Sequence, residues 1–324
     1  MKYQLGVSII VCCYNSIGRI EHTLAYLAKQ KFRTRINVEL IVVNNASTDE
    51  TKKIVTQLLK TLFPLWSCSV IDEMNQGLTY ARNAGIKNAL YEYLLFCDDD
   101  NLLFPDYVQN AYDILSQNEW IGACGGRGIP EFLGVEEPEW FKKAAPSYAL
   151  GSQLSQSGKL VRNSLYGAGL CIKHSIIDEL YQKKFHSFLT GRKGKGLLAG
   201  EDSELTKAIL LLGYKLEAND SLLYKHIMPS NRLNKEYFYK MLYGFGLAYP
   251  VICLYECAIR FPYFNLYVFY YLYFLGLVFN YIGTFVFRKR DKKAIYRGAI
   301  TAFMNMPFKD VHEVCAVIKR LSKS

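Results

Sequence analysis

Tyr93-Leu94-Leu95-Phe96-Cys97-Asp98-Asp99-Asp100 is an apolar run that ends in three consecutive carboxylates. A short, continuously hydrophobic run reads as a strand covered on both faces, the pattern of a parallel sheet. Three adjacent acids repel one another, so their place at a strand end calls for a counter-charge. A divalent cation supplies one. Hard cations prefer oxygen ligands, and magnesium takes one or two protein carboxylates and fills its shell with substrate phosphates. A solvated acidic turn before a helix near residue 105 is the competing explanation, and the neighbouring sequence has to decide.

Upstream, residues 5–12 form a second buried-strand pattern that stops at Cys13-Tyr14-Asn15-Ser16. A helix is predicted over 18–31, with Ile20, Leu24, Leu27 and Ala28 on one face. Residues 38–43 read as a strand ending at Asn44-Asn45-Ala46-Ser47-Thr48-Asp49. Ser47 or Thr48 is suited to cap the next helix, with Asp49 and Glu50 in its first turn. A short strand over 68–71 follows, and Asn75-Gln76-Gly77 opens a helix carrying Arg82. Strand and helix alternate up to the acidic triplet, which argues for an α/β fold with right-handed crossovers. In such sheets ligands bind beyond the carboxyl ends of the strands. Tyr14-Asn15, Asn44-Asn45 and Asp98-Asp99-Asp100 all fall there. The glycines spell neither a dinucleotide fingerprint nor a P-loop, which argues against both of those classes.

Downstream, a helix is predicted over 106–116. Gly122 to Gly128 is too glycine-rich for a helix and suggests a strand with close backbone neighbours. Residues 131–148 read as a long surface loop, 166–172 as a strand with glycine flanks and 221–224 as another short strand. The segment 191–200 holds four glycines and three basic residues, fit either to fold over phosphates or to act as a linker. Gly200-Glu201-Asp202 opens a helix that runs to Gly213. Acids there satisfy the helix dipole; the functional alternative is a carboxylate base. His226 lies near a strand end, where a structural role and a ligand role both stand.

The chain has 324 residues, nine cysteines without metal-type spacing and a net charge of +10. The cysteines read as reduced thiols of an intracellular protein, and the first residues lead directly into a strand, without a signal-peptide pattern. Nucleic acid and anionic membrane both attract so basic a chain. The location of the charge separates them. Residues 263–287 contain no charged side chain and are long enough to span a bilayer. Arg288, Lys289, Arg290, Lys292 and Lys293 follow at once, which favours a membrane and not nucleic acid. Lys235, Lys240 and Arg260 precede the segment, so a single span would leave one basic flank outside. A re-entrant hairpin using 251–254, an interfacial helix and a buried bundle helix are the alternatives.

Taken in order, Tyr14-Asn15, residues 39–49 with Asn44-Asn45, Asn75-Gln76-Gly77 with Ala81 to Gly85, Asp98-Asp99-Asp100, Gly167-Ala168-Gly169 and Gly200-Glu201-Asp202 resemble a family 2 glycosyltransferase with the GT-A fold. The resemblance covers roughly residues 5–230. It implies a GT-A (Rossmann-like) catalytic domain over 1–230, with a nucleotide-binding half to about 100 and an acceptor half over 101–230. A helical, membrane-associated region over 231–324 follows. Tyr14, Asn15, Asn44, Asn45, Gly77, Arg82, Asp98 and Asp99 would border the nucleotide-sugar donor. Asp100, Asp98 and His226 would hold Mg²⁺ or Mn²⁺, and Asp202, beside Glu201, would be the general base. Asn44 departs from the family, which usually has Asp there. The implied activity is inverting, metal-dependent transfer to a glycan acceptor, lipid-linked, in bacterial surface polysaccharide synthesis at the cytoplasmic face of the cell membrane. A nucleotidylyltransferase-like enzyme and a non-catalytic nucleotide-sugar-binding protein are the alternatives. The first would want a glycine-rich basic loop after the first strand, where only Gly18 and Arg19 occur.

Overall fold

The computed structural model describes residues 2–191, 198–286 and 289–322. Most of the cationic segment over 191–200 therefore lies outside the described residues, as do Phe287 and Arg288 at the end of the apolar stretch. The chain divides into two compact units. One contains Met1–Glu179 and Lys215–Pro229; the other contains Leu180–Tyr214 and Ser230–Ser324. Residues 180–214 thus go with the C-terminal helices, a division that differs from a single boundary at 230.

The first unit opens with the expected alternation: β1 (Gln4–Cys13), α1 (Ile20–Leu27), β2 (Val38–Asn45), α2 (Thr51–Leu62), β3 (Ser67–Glu73), α3 (Leu78–Asn88) and β4 (Tyr91–Asp98). β1 pairs in parallel with β2 and β4, and β2 with β3. Val7, Ile9, Ile10 and Val11 of β1 are fully buried because helices cover both faces of the sheet. Val7, Ile9 and Val11 join Ile20, Leu24 and Leu27 of α1 in the core. Truncating one such leucine to alanine costs about 2–5 kcal/mol. On the opposite face α3 presses its backbone onto β1: a Cβ at Gly85 would lie 2.4 Å from Ile10 Cγ2. The register aligns Cys13 with Asn44, Asn44 with Asp72, and Cys12 with Asp98, so the polar strand ends stand in one row.

The chain continues through β5 (Asn101–Leu103), α4 (Tyr107–Ser116), β6 (Ile121–Phe132), α5 (Phe141–Ala144), β7 (Cys171–Lys173), α6 (His174–Gln182), α7 (Glu201–Leu211) and β8 (Lys215–Met228). The sheet order is β3-β2-β1-β4-β7-β6-β8-β5. Only its first half is wholly parallel; β7 runs antiparallel to β4 and β6, and β5 antiparallel to β8. Expected strands change length here: 166–172 shrinks to β7, while 221–224 is the middle of the long β8. The predicted loop at 131–148 holds α5 and a 3₁₀ turn at Ala145–Tyr148.

The second unit gathers α7 with α8 (Lys235–Leu247), α9 (Tyr249–Arg260), α10 (Leu266–Val286), α11 (Arg290–Asn305) and α12 (Phe308–Leu321). Gly246 of α8 and Gly298 of α11 let the two backbones touch. A Cβ on either would come within 2.1 Å of a carbonyl oxygen of the other helix. Val251, Cys253 and Leu254 are buried in this bundle, where α9 packs against α7, α11 and α12.

Candidate active site

The rim formed by the carboxyl ends of β1, β2 and β4 is built first by its asparagines. Asn15 takes a left-handed conformation (φ 47°) just past β1, which its short polar side chain tolerates. Its Oδ1 accepts the Thr48 N–H at 2.8 Å, and its own N–H donates to Ser47 Oγ at 3.1 Å. The β1–α1 and β2–α2 loops are thereby tied together. Ser47 and Thr48 are spent on this tie; α2 begins after Glu50 without a side-chain cap, and Asp49 Oδ1 just before it accepts from Thr51 N at 3.0 Å. Asn45 is buried and clamps the β3–α3 loop: Nδ2 donates to the carbonyls of Glu73 and Asn75, and Oδ1 accepts from Gly77 N at 2.8 Å. Gly77 has φ 143°, a conformation that favours glycine. Asn15, Asn45 and Gly77 thus shape the rim through the backbone.

Asn44 is placed differently. Its Nδ2 donates to Asp72 Oδ1 at 2.9 Å, which fixes the amide orientation. Its Oδ1 is shielded from solvent and has no hydrogen-bond partner among the described residues. A buried acceptor left alone costs about 1–3 kcal/mol, so this oxygen is suited to an N–H supplied from outside. Tyr14 stands half exposed beside the loop, its N–H on Ser16 Oγ at 3.0 Å.

The acidic triplet splits into three roles. Asp99 turns inward, where Ser16 Oγ and Arg19 Nη2 both donate to its Oδ2, Arg19 at 2.8 Å. Thr23 Oγ1 donates to its carbonyl at 3.0 Å. Burial and the neighbouring Asp100 push the Asp99 carboxyl above the usual range, against Arg19 and Ser16. Asp99 thereby anchors the β1–α1 loop. Asp98 ends β4 with Oδ1 3.7 Å from Nη2 of the buried Arg82, whose guanidinium also lies over the Phe96 ring. Burial raises the Asp98 carboxyl and Arg82 opposes it.

Asp100 is 4% exposed, and its Oδ1 accepts from Asn101 Nδ2 at 3.1 Å. The same oxygen lies 3.3 Å from Nε2 of His226. The β5–β8 pairing makes this meeting, because it sets Asn101 opposite His226. His226 Nδ1 stands 2.9 Å from the Tyr148 carbonyl. A carbonyl only accepts, so Nδ1 donates to it and Nε2 faces the Asp100 carboxylate oxygen. A ring nitrogen and a carboxylate oxygen this close meet through a proton or a metal ion. Among the described residues no three His, Cys, Asp or Glu side chains form a complete cage. Asp100 and His226, with Asp98 nearby, therefore fit an ion that draws its remaining ligands from substrate phosphates.

Glu201 and Asp202 open α7 in the second unit. Glu201 Oε2 accepts from Gly200 N at 3.0 Å and Asp202 Oδ1 from Ser203 N at 2.7 Å, so both serve the helix start. Arg19, Ser16 and Glu204 were not among the expected residues. Their partners lie far away in sequence or on backbone N–H groups, and only a lone basic residue after Tyr14-Asn15-Ser16 hinted at Arg19.

The chain is similar to known glycosyltransferases in sequence and in fold. Residues 8–143 match the model of glycosyl transferase family 2. A poly-beta-1,6-N-acetyl-D-glucosamine synthase of Staphylococcus epidermidis is 29% identical over 122 residues, 37% of this chain and 28% of that protein. The chain spans about a fifth to a third of the length of the curated relatives it matches. Residues 1–349 of S. aureus TarS in complex with UDP-GlcNAc superpose with a TM-score of 0.57 at 17% identity, covering 99% of this chain and 91% of that one. A mannosyltransferase from Pyrobaculum calidifontis in complex with GDP-Man and Mn²⁺ gives 0.57 at 17% identity, covering 99% and 86%. The fold is GT-A, and residues 8–143 are similar to glycosyl transferase family 2.

Proposed function

We propose that the chain is an inverting, metal-dependent glycosyltransferase that moves a sugar from a nucleotide-diphosphate donor to an acceptor hydroxyl. The observation that carries the reading is the approach of Asp100 to His226 on the rim where Asn44 holds an unanswered acceptor. Asn44 Oδ1 takes a nucleobase N–H, Tyr14 borders the base, and Arg82 and Asp98 set the charge near the ribose and diphosphate. Asp100 and His226, with Asp98 nearby, would hold Mg²⁺ or Mn²⁺ together with the donor phosphates, and the bound ion would supply neutralisation of the charge growing on the departing diphosphate. The acceptor oxygen attacks the anomeric carbon as the bond to the diphosphate breaks. Its proton passes to Asp202, because a hydroxyl is a weak nucleophile until a base relieves it. Glu201 holds the start of the helix that carries this base. One displacement inverts the anomeric centre.

Support comes from the family match and from structural neighbours bound to UDP-GlcNAc and to GDP-Man with Mn²⁺. The polysaccharide synthase among the relatives favours a glycan acceptor. We place that acceptor on a lipid at the cytoplasmic face of the cell membrane, where the apolar α10 and the basic residues after it hold the chain. Thermal shift against UDP-, GDP- and dTDP-sugars with Mn²⁺ identifies the donor. Asp100→Asn abolishes the metal-dependent part of that shift. Asp202→Asn leaves the shift and lowers transfer by about 10²–10⁴-fold. Wild-type turnover in folded Asp202→Asn would remove the base assignment, and a metal-dependent shift kept in Asp100→Asn would remove the metal site.

A further inference from the structure

α10 carries two opposite stripes. Leu266, Tyr270, Leu277 and Thr284 are buried at helical spacing on one side. Val268, Leu272, Leu275, Phe279 and Ile282 are exposed on the other, Phe279 at 79%. A continuous apolar face of this kind marks a contact surface for protein or lipid. The buried side rests on α11. The Tyr270 and Phe274 rings lie 4.6 and 5.6 Å from Phe303, and Lys293 Nζ lies 3.9 Å over the Phe285 ring. Those contacts make α11 antiparallel to α10, with its charged first turn beside the last turn of α10 and Arg297 a turn further in.

α11 begins Arg290-Asp291-Lys292-Lys293 and adds Arg297. Were α10 to span a bilayer, it would draw the length of α11, Arg297 included, into hydrocarbon at its side, where ionised groups are costly. Lying along the surface, it leaves them at headgroup depth, where Lys and Arg attract anionic lipid. The opposite end of α10 is preceded by exposed Phe261, Tyr263 and Phe264, and aromatic residues favour the interface. Both ends therefore carry groups that belong at the membrane surface. An apolar recess of about 550 Å³, lined by Phe264, Phe269, Leu272, Tyr273, Leu277 and Tyr296, adjoins the exposed face and has room for an acyl chain.

Resting on the membrane-associated reading above, we infer that α10 is an in-plane anchor. Its outer face enters the headgroup–acyl boundary of an anionic bilayer without crossing it, and the basic start of α11 binds the phosphates of that surface.

The test floats the full chain on sealed phosphatidylcholine vesicles with and without phosphatidylglycerol. Binding is expected with phosphatidylglycerol. Leu275→Glu with Phe279→Glu lowers partition by at least about tenfold, and Lys292→Glu with Lys293→Glu removes the lipid preference. Tyr263→Cys and Lys292→Cys both react with an impermeant maleimide added outside the vesicles. Protection of one of the two would establish a span and overturn the proposal. So would absence of binding to either vesicle, or a stable dimer in solution that Leu275→Glu with Phe279→Glu dissolves. Nucleotide-sugar hydrolysis is measured on the same samples. Its persistence when anchoring fails, or its loss when anchoring holds, separates this inference from the glycosyltransferase reading.

Discussion

Glu204 in the first turn of α7 is fully buried, yet accepts from Ser187 Oγ at 2.6 Å and from the N–H groups of Phe188 and Leu189 at 3.1 and 3.0 Å. Burial pushes its carboxyl up to about 7, outweighing those three bonds, which favour the anion. The unfolded group titrates near 4.5, so between the two values the folded state binds more protons. The Glu204 contribution to stability is then largest below about pH 4.5, falls as pH rises to about 7 and is flat above, a change on the order of 3 kcal/mol. Asp49, Asp72, Asp178 and Glu256 are shifted the other way, so the difference from Glu204→Gln isolates the effect. Urea unfolding on both sides of the window reads it, and an unchanged slope in Glu204→Gln would assign the titration elsewhere. Nothing in the sequence distinguishes Glu204 from Glu201 and Asp202, because all three are acids at a helix start. The same limit applies to Asn15 and Asn45. Their position at strand ends was legible, but their amides turn to the backbone of Thr48 and Gly77, contacts that only the folded loops create. Asp98, Asp100 and Asn44 were legible because a strand end fixes where a side chain must emerge.

Strands β6 and β8 join the sheet in a way the residue pattern conceals. Their parallel register skips between Gly125↔Ala218 and Arg127↔Leu223. Asn219 Oδ1 accepts from Ser221 N at 2.9 Å inside β8, a turn-like bond that absorbs the extra residues. Polar Asn219-Asp220 breaks the apolar run, so only 221–224 reads as strand, although pairing extends on both sides. Gly126 sits at the skip, where a Cβ would lie 1.9 Å from the Leu222 carbonyl oxygen. Backbone cannot yield as a side chain does. Gly126→Ala should therefore cost about 3 kcal/mol or more. Gly125→Ala, whose Cβ meets the Gln153 amide at 3.2 Å and asks it to give by only a few tenths of an ångström, should cost less than Gly126→Ala. Denaturant midpoints of the pair decide this, and equal losses would refute the role of the register skip. Strands β1, β2 and β4 were legible for the opposite reason. Each holds a nearly continuous buried run that ends at a polar cluster, whereas β3 is a half-exposed edge strand and was legible only over 68–71.

The composition of the chain changes near residue 235, where charge gives way to aromatic and aliphatic residues, and that change suggests one boundary. The packing of α7 draws another. Its stripe of Leu205, Ala208 and Leu212 would look the same in sequence whichever helices covered it, but it packs on α9 and α12. Lys207, 4% exposed, holds Glu256 of α9 at 2.5 Å. Burial acts to raise the Glu256 carboxyl, but Lys207 and Arg260 hold it below the usual range. Cutting the chain after residue 230 removes Glu256 and leaves a buried ammonium, a change that costs about 3–5 kcal/mol for such pairs. It also uncovers Ala208 and Ile209, both fully buried. A 1–230 fragment should keep hydrogen-exchange protection in β1, β2 and β4, whose partners all lie within it, and lose protection across 201–211. Its transfer activity should fall with that loss even though Asp202 is still in the chain, because a base on a frayed helix is not held in place. Native protection of 201–211 in the fragment would mean that α7 stands without the C-terminal helices.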